Sequence, residues 1–345
     1  MAILTKNKKL KIHIKNNHGR PGTFPCDLEG EKNFTITKEN FEKALEKEKS
    51  IKGKIDFYID WDEDNFNSSI FNSDILLTYD FPTSNLNKIA PKLKWIHCTA
   101  AGVEHLSPFN WMLNNLTLTN SSGVHAKKAG EYGLMSVLML QNHMPRIITN
   151  QKNKEFVSLF SNPIAGKNII LVGTGSLGSS MARLVAPLGA NIIGVNKKGK
   201  KVKGCSQIIT IDKLDTVLPD ADILYLALPE TSETKNLINR KRLNLLKKSC
   251  SIVNIGRQSA LDYNALCEKL NKKELAGAIL DVFEKEPIPN DSKIWHTQNL
   301  VITPHISSDD NGNYVKMTLD LFIKNLKLFI EGKELTNKID KNLGY

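Results

Sequence analysis

At 345 residues, 41% of them hydrophobic, the chain has the length and the apolar content for two packed cores rather than one. The formal charge of +11 invites a nucleic-acid role, but Lys38, Lys43, Lys47 and Lys49 interleave with Glu39, Glu42, Glu46 and Glu48 as on a solvated helix face, which excludes that class. The five cysteines (Cys26, Cys98, Cys205, Cys250, Cys267) form no CxxC pair or metal-spaced set, residues 1–6 lead into lysines without a signal-type apolar region, and no run nears the ~20 apolar residues of a membrane span; free thiols in a reducing cytoplasm, no metal and no membrane partner are expected.

In chain order, short apolar runs at 10–14, 55–61, 74–78, 94–98 and 116–120 read as the strands of a first lobe. The stretch 126–144 is rich in helix formers, including Leu134, Met135, Val137, Leu138, Met139 and Leu140, and is expected as one crossover helix before a polar segment that runs to Pro163. A second lobe follows, with strands at 168–172, 191–195, 222–228, 251–255, 276–280 and 300–303 and helices at 177–188 and 261–270. A last helix, near 311–330, is expected to return to the first lobe. Strands alternating with helices predict an α/β protein with parallel sheets, the second lobe being doubly wound.

Gly173-Thr174-Gly175-Ser176-Leu177-Gly178 sits between the buried-strand run Ile169-Ile170-Leu171-Val172 and a segment whose Leu177, Met181, Leu184 and Val185 share one helical face. This is the setting of a dinucleotide loop: Gly173 for the tight turn, Gly175 for the approach of a pyrophosphate, Gly178 for helix and strand packing, and Ser176 and Leu177 opening the helix whose N–H groups favour an anion. About 20 residues further on, where an acidic side chain would hold a ribose 2′-hydroxyl, the chain carries Asn196-Lys197-Lys198-Gly199-Lys200. With no carboxylate in that stretch and several ammonium groups, NADP(H) is favoured as cofactor, NAD(H) being possible. Arg257, Glu286 and His305 come later in the chain, and an arginine, a carboxylate and a histidine are what hydride transfer to a 2-oxo acid requires. Taken singly, each is an ordinary surface group; at the ends of successive strands of one doubly wound sheet they become a site.

The segments Val172 to Gly178, Leu228-Pro229-Glu230-Thr231-Ser232-Glu233-Thr234-Lys235, Val253-Asn254-Ile255-Gly256-Arg257, Leu280-Asp281-Val282-Phe283-Glu284-Lys285-Glu286-Pro287 and Thr303-Pro304-His305 together resemble the D-isomer-specific 2-hydroxyacid dehydrogenases. Ala100-Ala101-Gly102-Val103-Glu104-His105-Leu106 is similar to that family's substrate loop, and the ending from Leu335 to Tyr345 to its C-terminus. The resemblance implies two Rossmann-like domains, a dinucleotide-binding domain at 126–304 inserted into a flavodoxin-like substrate domain at 1–125 plus 305–345, with the site in the cleft between them and a homodimer built through the cofactor domains, the helix at 126–144 contributing. It further implies His305 as acid/base, Glu286 as its carboxylate partner and Arg257 as the fork on the substrate oxygens. The N–H groups of Ala101 and Gly102 would cradle the carboxylate, Asp281 would hold the nicotinamide carboxamide, Leu228, Pro229 and Thr234 would line the adenosine, and Ile255 and Gly256 the nicotinamide.

Two departures from the family pattern stand out: Ile255-Gly256-Arg257-Gln258 lacks the usual glycine after the arginine, and the acidic Ile306-Ser307-Ser308-Asp309-Asp310 follows His305. The remaining histidines, His13, His18, His97, His105, His125, His143 and His296, have no comparable setting and read as structural or surface groups, with His105 and His125 as pocket neighbours. The expected activity is hydride transfer between a nicotinamide cofactor and a 2-oxo or D-2-hydroxy acid; glyoxylate, hydroxypyruvate and larger 2-oxo acids remain open. The alternative is a dinucleotide-sensing, corepressor-like interaction protein on the same fold, since a fold alone does not prove catalysis. No extra interaction module or long disordered tail is expected from the sequence to favour it.

Overall fold

The computed structural model describes residues 9–25, 27–62, 66–308, 310, 312–341 and 344; Met1 to Lys6, Cys26, Asp309, Asn311, Asn342, Leu343 and Tyr345 lie outside the described residues. Two compact units emerge, one from Met1–Val124 with Asp310–Tyr345 and one from His125–Asp309. His305 therefore belongs to the second unit, whereas the sequence expectation began the returning segment of the first unit at that residue.

The first unit carries β1 (Leu10–Asn16), β2 (Ile55–Trp61), β3 (Ile75–Thr78), β4 (Trp95–Cys98) and β5 (Thr117–Thr119) in one parallel sheet of order β2-β1-β3-β4-β5. That is the flavodoxin-like order. The helix Tyr314–Ile330 belongs to this unit, burying Leu319, Phe322, Ile323, Leu326 and Phe329 in a core with Phe41 and Trp95, where Trp95 stacks on Phe322 at 4.9 Å. Lys38–Glu46 is a helix whose Lys43 and Glu39 pair at 2.6 Å, as the i,i+4 spacing predicted.

The second unit holds β6 (Asn168–Val172), β7 (Asn191–Val195), β8 (Gln207–Ile209), β9 (Ile223–Leu226), β10 (Ser251–Asn254), β11 (Gly277–Leu280) and β12 (Leu300–Ile302), again all parallel, in the order β12-β11-β10-β9-β6-β7-β8. The reversal at β6 and β9 makes the carboxyl edge there the natural ligand crevice of a doubly wound sheet. β6, β9, β10 and β11 are buried on both faces, which is why they read as continuous apolar runs.

Two elements differ from expectation. β8 escaped notice because its three residues, on the sheet edge, offer only Ile208 and Ile209 as signal. The helix expected at 126–144 is Ala126–Gln141, and the polar segment after it opens with a second helix, Met144–Lys152, set off by His143, whose φ is +56°. Pro145 stands in the first turn of the second helix, where its missing N–H costs nothing.

Candidate functional site

The glycine loop leaves β6 and enters the helix Ser176–Val185. Gly173 has φ +97°, and a Cβ there would strike the carbonyl of Ala227. A Cβ on Gly178 would strike the Gly173 carbonyl, so the helix could not begin so close to the strand with any larger residue. Gly175 is different: its φ is −66° and an added Cβ would meet nothing within 4 Å. Nothing in the protein itself requires a glycine at Gly175, and the open space beside it is where a diphosphate would need backbone contact. The residues present thus fit a dinucleotide.

Further along the same edge, beyond β9, β10 ends at Asn254, which is fully buried and organises the turn that follows. Its side chain accepts from Gly256 N at 3.1 Å and donates to the carbonyl of Arg257 at 3.1 Å and to the Tyr263 hydroxyl at 3.2 Å. Ile255 is buried, Gly256 approaches Leu228 so closely that a Cβ would lie 2.5 Å from its N atom, and Arg257 emerges half-buried with Nη1 2.9 Å from the Gly256 carbonyl.

β11 and β12 deliver the other two groups. His305 Nδ1 lies 2.8 Å from Glu286 Oε2, and Glu286 Oε1 accepts from Phe283 N at 2.8 Å. The carboxylate is thereby held by the backbone on one side while it orients the ring on the other, which leaves Nε2 as the nitrogen that can exchange a proton with a ligand. The hydrogen bond to Glu286 raises the His305 pKa above 6.5; desolvation and the charge of Arg257 oppose, and the charges of Glu286 and Asp281 assist. For Glu286, burial pushes upward, but the hydrogen bond and charge of His305, the Phe283 N–H and Arg257 outweigh it and hold the carboxyl below 4.5. The charge of Arg257 acts on both partners, lowering each, as a minor contribution beside their mutual hydrogen bond.

His305 has φ +54°, a left-handed conformation uncommon for such a residue. Asp281 holds it there. Fully buried, it accepts from Thr303 Oγ1 at 2.6 Å, Ile306 N at 2.9 Å and Ser307 N at 2.9 Å, and Thr303 also bonds the Tyr132 hydroxyl at 2.7 Å. The resemblance implied a nicotinamide carboxamide as the partner of Asp281. Within the protein its oxygens are engaged on both sides of the histidine, as a clamp on the turn.

Other expected cofactor residues are likewise engaged within the protein. Asn196 donates to Thr174 Oγ1 at 3.0 Å and to the Lys200 carbonyl at 2.9 Å, and accepts from Lys198 N and Lys200 N, so it shapes the loop after β7 and ties it to the glycine loop. Lys198 is exposed, whereas Lys197 Nζ contacts both oxygens of Glu233, at 2.7 and 2.9 Å. The sequence expectation that no carboxylate is available beside these lysines is corrected: Glu233 is distant in sequence, but its loop follows β9, and β9 neighbours β6 at the same edge. Pro229 is exposed and Leu228 half-buried in that loop, while Thr234 Oγ1 donates to the Pro229 carbonyl at 2.7 Å and accepts from Thr231 N at 2.9 Å.

In the first unit, Ala101 and Gly102 follow β4. The carbonyl of Ala100 accepts from Ser121 N and that of Ala101 from the Asn120 side chain. Because each trans peptide points its N–H opposite to its C=O, the N–H groups of Ala101 and Gly102 are turned away from that segment. His105 stacks on Tyr79 at 4.3 Å, and His125 bonds the Ser308 carbonyl at 3.1 Å. His13 and His97 are fully buried, and burial lowers them to about 4 and about 3, which makes them neutral core groups. Asn254, Tyr132, Thr303 and Glu233 were missed as contributors; a buried polar residue ending an apolar strand was the available signal for Asn254.

Comparison with known proteins bears on this arrangement. Residues 134–307 match the family model described as D-isomer specific 2-hydroxyacid dehydrogenase, NAD binding domain. A glyoxylate reductase from Pyrococcus horikoshii is 29% identical over 253 residues, 71% of this chain and 75% of that protein. Among solved structures, a D-isomer specific 2-hydroxyacid dehydrogenase family protein from Aeromonas salmonicida superposes with a TM-score of 0.76 at 26% identity, covering 96% of this chain and all of that one. One from Xanthobacter autotrophicus, solved with NADPH and MES, gives 0.79 at 21% identity over 98% of this chain and 100% of the other, a likeness of fold.

Proposed function

The chain belongs to the D-isomer-specific 2-hydroxyacid dehydrogenases, NAD(P)-dependent oxidoreductases, and from that premise we propose that it reduces a small 2-oxo acid, NADPH being favoured, with His305 as the proton donor. The observation that carries the reading is the 2.8 Å contact of His305 with Glu286 at the same sheet edge as the open glycine loop. When bound, the dinucleotide supplies a hydride for the substrate's C2. His305 gives its Nε2 proton to the carbonyl oxygen and is reprotonated from solvent; in the reverse direction it accepts that proton. Glu286 raises the ring's pKa, favouring its protonated form, and fixes its orientation. Arg257 offers a planar, permanently charged fork to the carboxylate and carbonyl oxygens and offsets the charge that builds on the latter. Lys197 and Lys198 attract a 2′-phosphate.

Further parts of the reading concern assembly and location. The helix Ala126–Gln141 spends most of its apolar face on its own core, leaving Met135 at 44% exposure. Phe156 and Phe160, at 102% and 91%, stand on the extended stretch after the helix Met144–Lys152 and supply the apolar surface for a homodimer contact. Mass measurement by size-exclusion light scattering tests it: a dimer in the wild type that becomes a monomer with Phe156→Ser and Phe160→Ser. No helix among the described residues is long and apolar enough to cross a membrane, and the described cysteines are free thiols, in keeping with the cytoplasmic placement.

The activity is tested by following oxidation of NADPH and NADH with a panel of 2-oxo acids, glyoxylate first. Turnover that vanishes in His305→Ala and in Arg257→Ala supports the roles of both residues. Full turnover in His305→Ala overturns them.

A further inference from the structure

Strand order gives the Lys197–Glu233 contact a particular location. β6 lies between β9 and β7, so the glycine loop that follows β6 is flanked by the loop carrying Glu233 and the loop carrying Lys197. The pair joins the two loops that flank the one carrying Gly173, Gly175 and Gly178. Neither loop is slack. Asn196 is bonded to Thr174 and to the backbone of residues 198 and 200, and the Thr231 and Thr234 hydroxyls bond each other at 3.0 Å within the turn that carries Glu233. The two charged side chains themselves are 55% and 61% exposed, so the contact is one that solvent or a ligand can open at small cost.

We infer that Glu233 is a specificity-determining residue: it occupies Lys197 as an internal stand-in for a 2′-phosphate, and a bound NADP(H) must displace its carboxylate to reach the ammonium group. This rests on the reading that residues 196–200 face the 2′ position. Three consequences follow from charge alone. The 2′-phosphate meets a cation already neutralised, so the lysine loop discriminates less than its composition suggests. The displaced carboxylate remains near the phosphate and repels it. A cofactor without the phosphate has no reason to open the pair, so its affinity is insensitive to Glu233.

The test is equilibrium binding, independent of turnover. NADPH and NADH are titrated by cofactor fluorescence, and 2′,5′-ADP and 5′-AMP by competition, on the wild type, Glu233→Gln, Lys197→Gln and the double variant. Glu233→Gln is expected to tighten NADPH and 2′,5′-ADP by about 3- to 10-fold, an effect that shrinks in high salt, while NADH and 5′-AMP change by less than about 2-fold. In the Lys197→Gln background the same substitution should lose most of its effect, because no ammonium group is left to unmask. If the wild type prefers 2′,5′-ADP and Lys197→Gln abolishes that preference, but Glu233→Gln changes nothing, the stand-in role fails and the assignment of the lysine loop survives. If all four proteins bind 2′,5′-ADP and 5′-AMP alike, both fail. Weakened NADH binding in Glu233→Gln would instead make the carboxylate a ribose acceptor and overturn the inference.

Discussion

Two carboxylate–cation contacts lie at the carboxyl edge of the seven-stranded sheet with nearly the same length, 2.8 Å for Glu286 with His305 and 2.7 Å for Glu233 with Lys197. Their surroundings differ. Glu286 is also held by the Phe283 N–H, and the histidine rides on a turn clamped through Asp281, whereas Lys197 and Glu233 meet at the tips of two exposed side chains. The first contact is fixed on both sides and sets the protonation of a ring. The second is fixed only at the base of its loops and can exchange one anion for another. Distance therefore says little about what an ion pair does; what holds each partner decides it.

Removing the ring breaks the first pair outright. His305→Ala should lower the rate of 2-oxo acid reduction by about 10²- to 10⁴-fold, the usual contribution of a positioned acid, without changing cofactor affinity by more than a few-fold. Steady-state kinetics beside NADPH titration measure both, and a variant that lost cofactor binding along with turnover would show the histidine to be structural.

The next effect concerns the support beneath that pair. Asp281→Asn keeps the shape but replaces one acceptor oxygen with an NH₂ group, so it can no longer serve Thr303, Ile306 N and Ser307 N together. Losing a buried charge-assisted acceptor should cost about 2–4 kcal/mol in denaturant unfolding. Turnover should fall as well, because the +54° φ of His305 loses its restraint. An unchanged midpoint would mean that the turn holds itself.

The comparison can also be sharpened through pH. His305 is raised above 6.5, so its stabilising contribution is complete below 6.5 and fades as pH rises through the higher folded value. Glu286 is lowered below 4.5, so its contribution is complete above 4.5 and fades as pH falls through the lower folded value. Reduction needs the protonated ring, and its rate should decline on the alkaline side of the His305 value. Glu286→Gln should move that limb to lower pH and slow reduction on the alkaline side, an effect that a pH–rate profile of kcat/KM reads directly. A limb that stays in place would assign the shift to Asp281 or to the backbone instead.

What the sequence made legible follows the same division. Gly173 and Gly178 declared themselves because each answers a local demand between a buried strand and a helix, and Gly175 through its place in the same motif. Arg257, Glu286 and His305 stood out only in combination, through ordered motifs at the ends of β10, β11 and β12. Roles that depend on which loops become neighbours were not legible. Glu233 sits 36 residues beyond Lys197, and only the order β9-β6-β7 brings them together. Asp281 and Asn196 were expected at the cofactor, but most of their partners within the protein are backbone groups that no side-chain pattern encodes.

The smallest effect is expected at the exposed pair, and it tests the comparison from the other side. Lys197→Gln and Glu233→Gln should each change unfolding free energy by no more than about 0.5 kcal/mol, since both side chains are more than half exposed and an exposed ion pair gains little over its hydration. Chemical denaturation at low and high salt gives the measurement. A larger loss in both variants that the double variant fails to double would mean that the pair braces the loops after β7 and β9. The carboxylate would then resemble Glu286 in being structurally committed, and it could not yield Lys197 to a phosphate cheaply. Near-zero changes would leave the two contacts as different in energy as they are in setting.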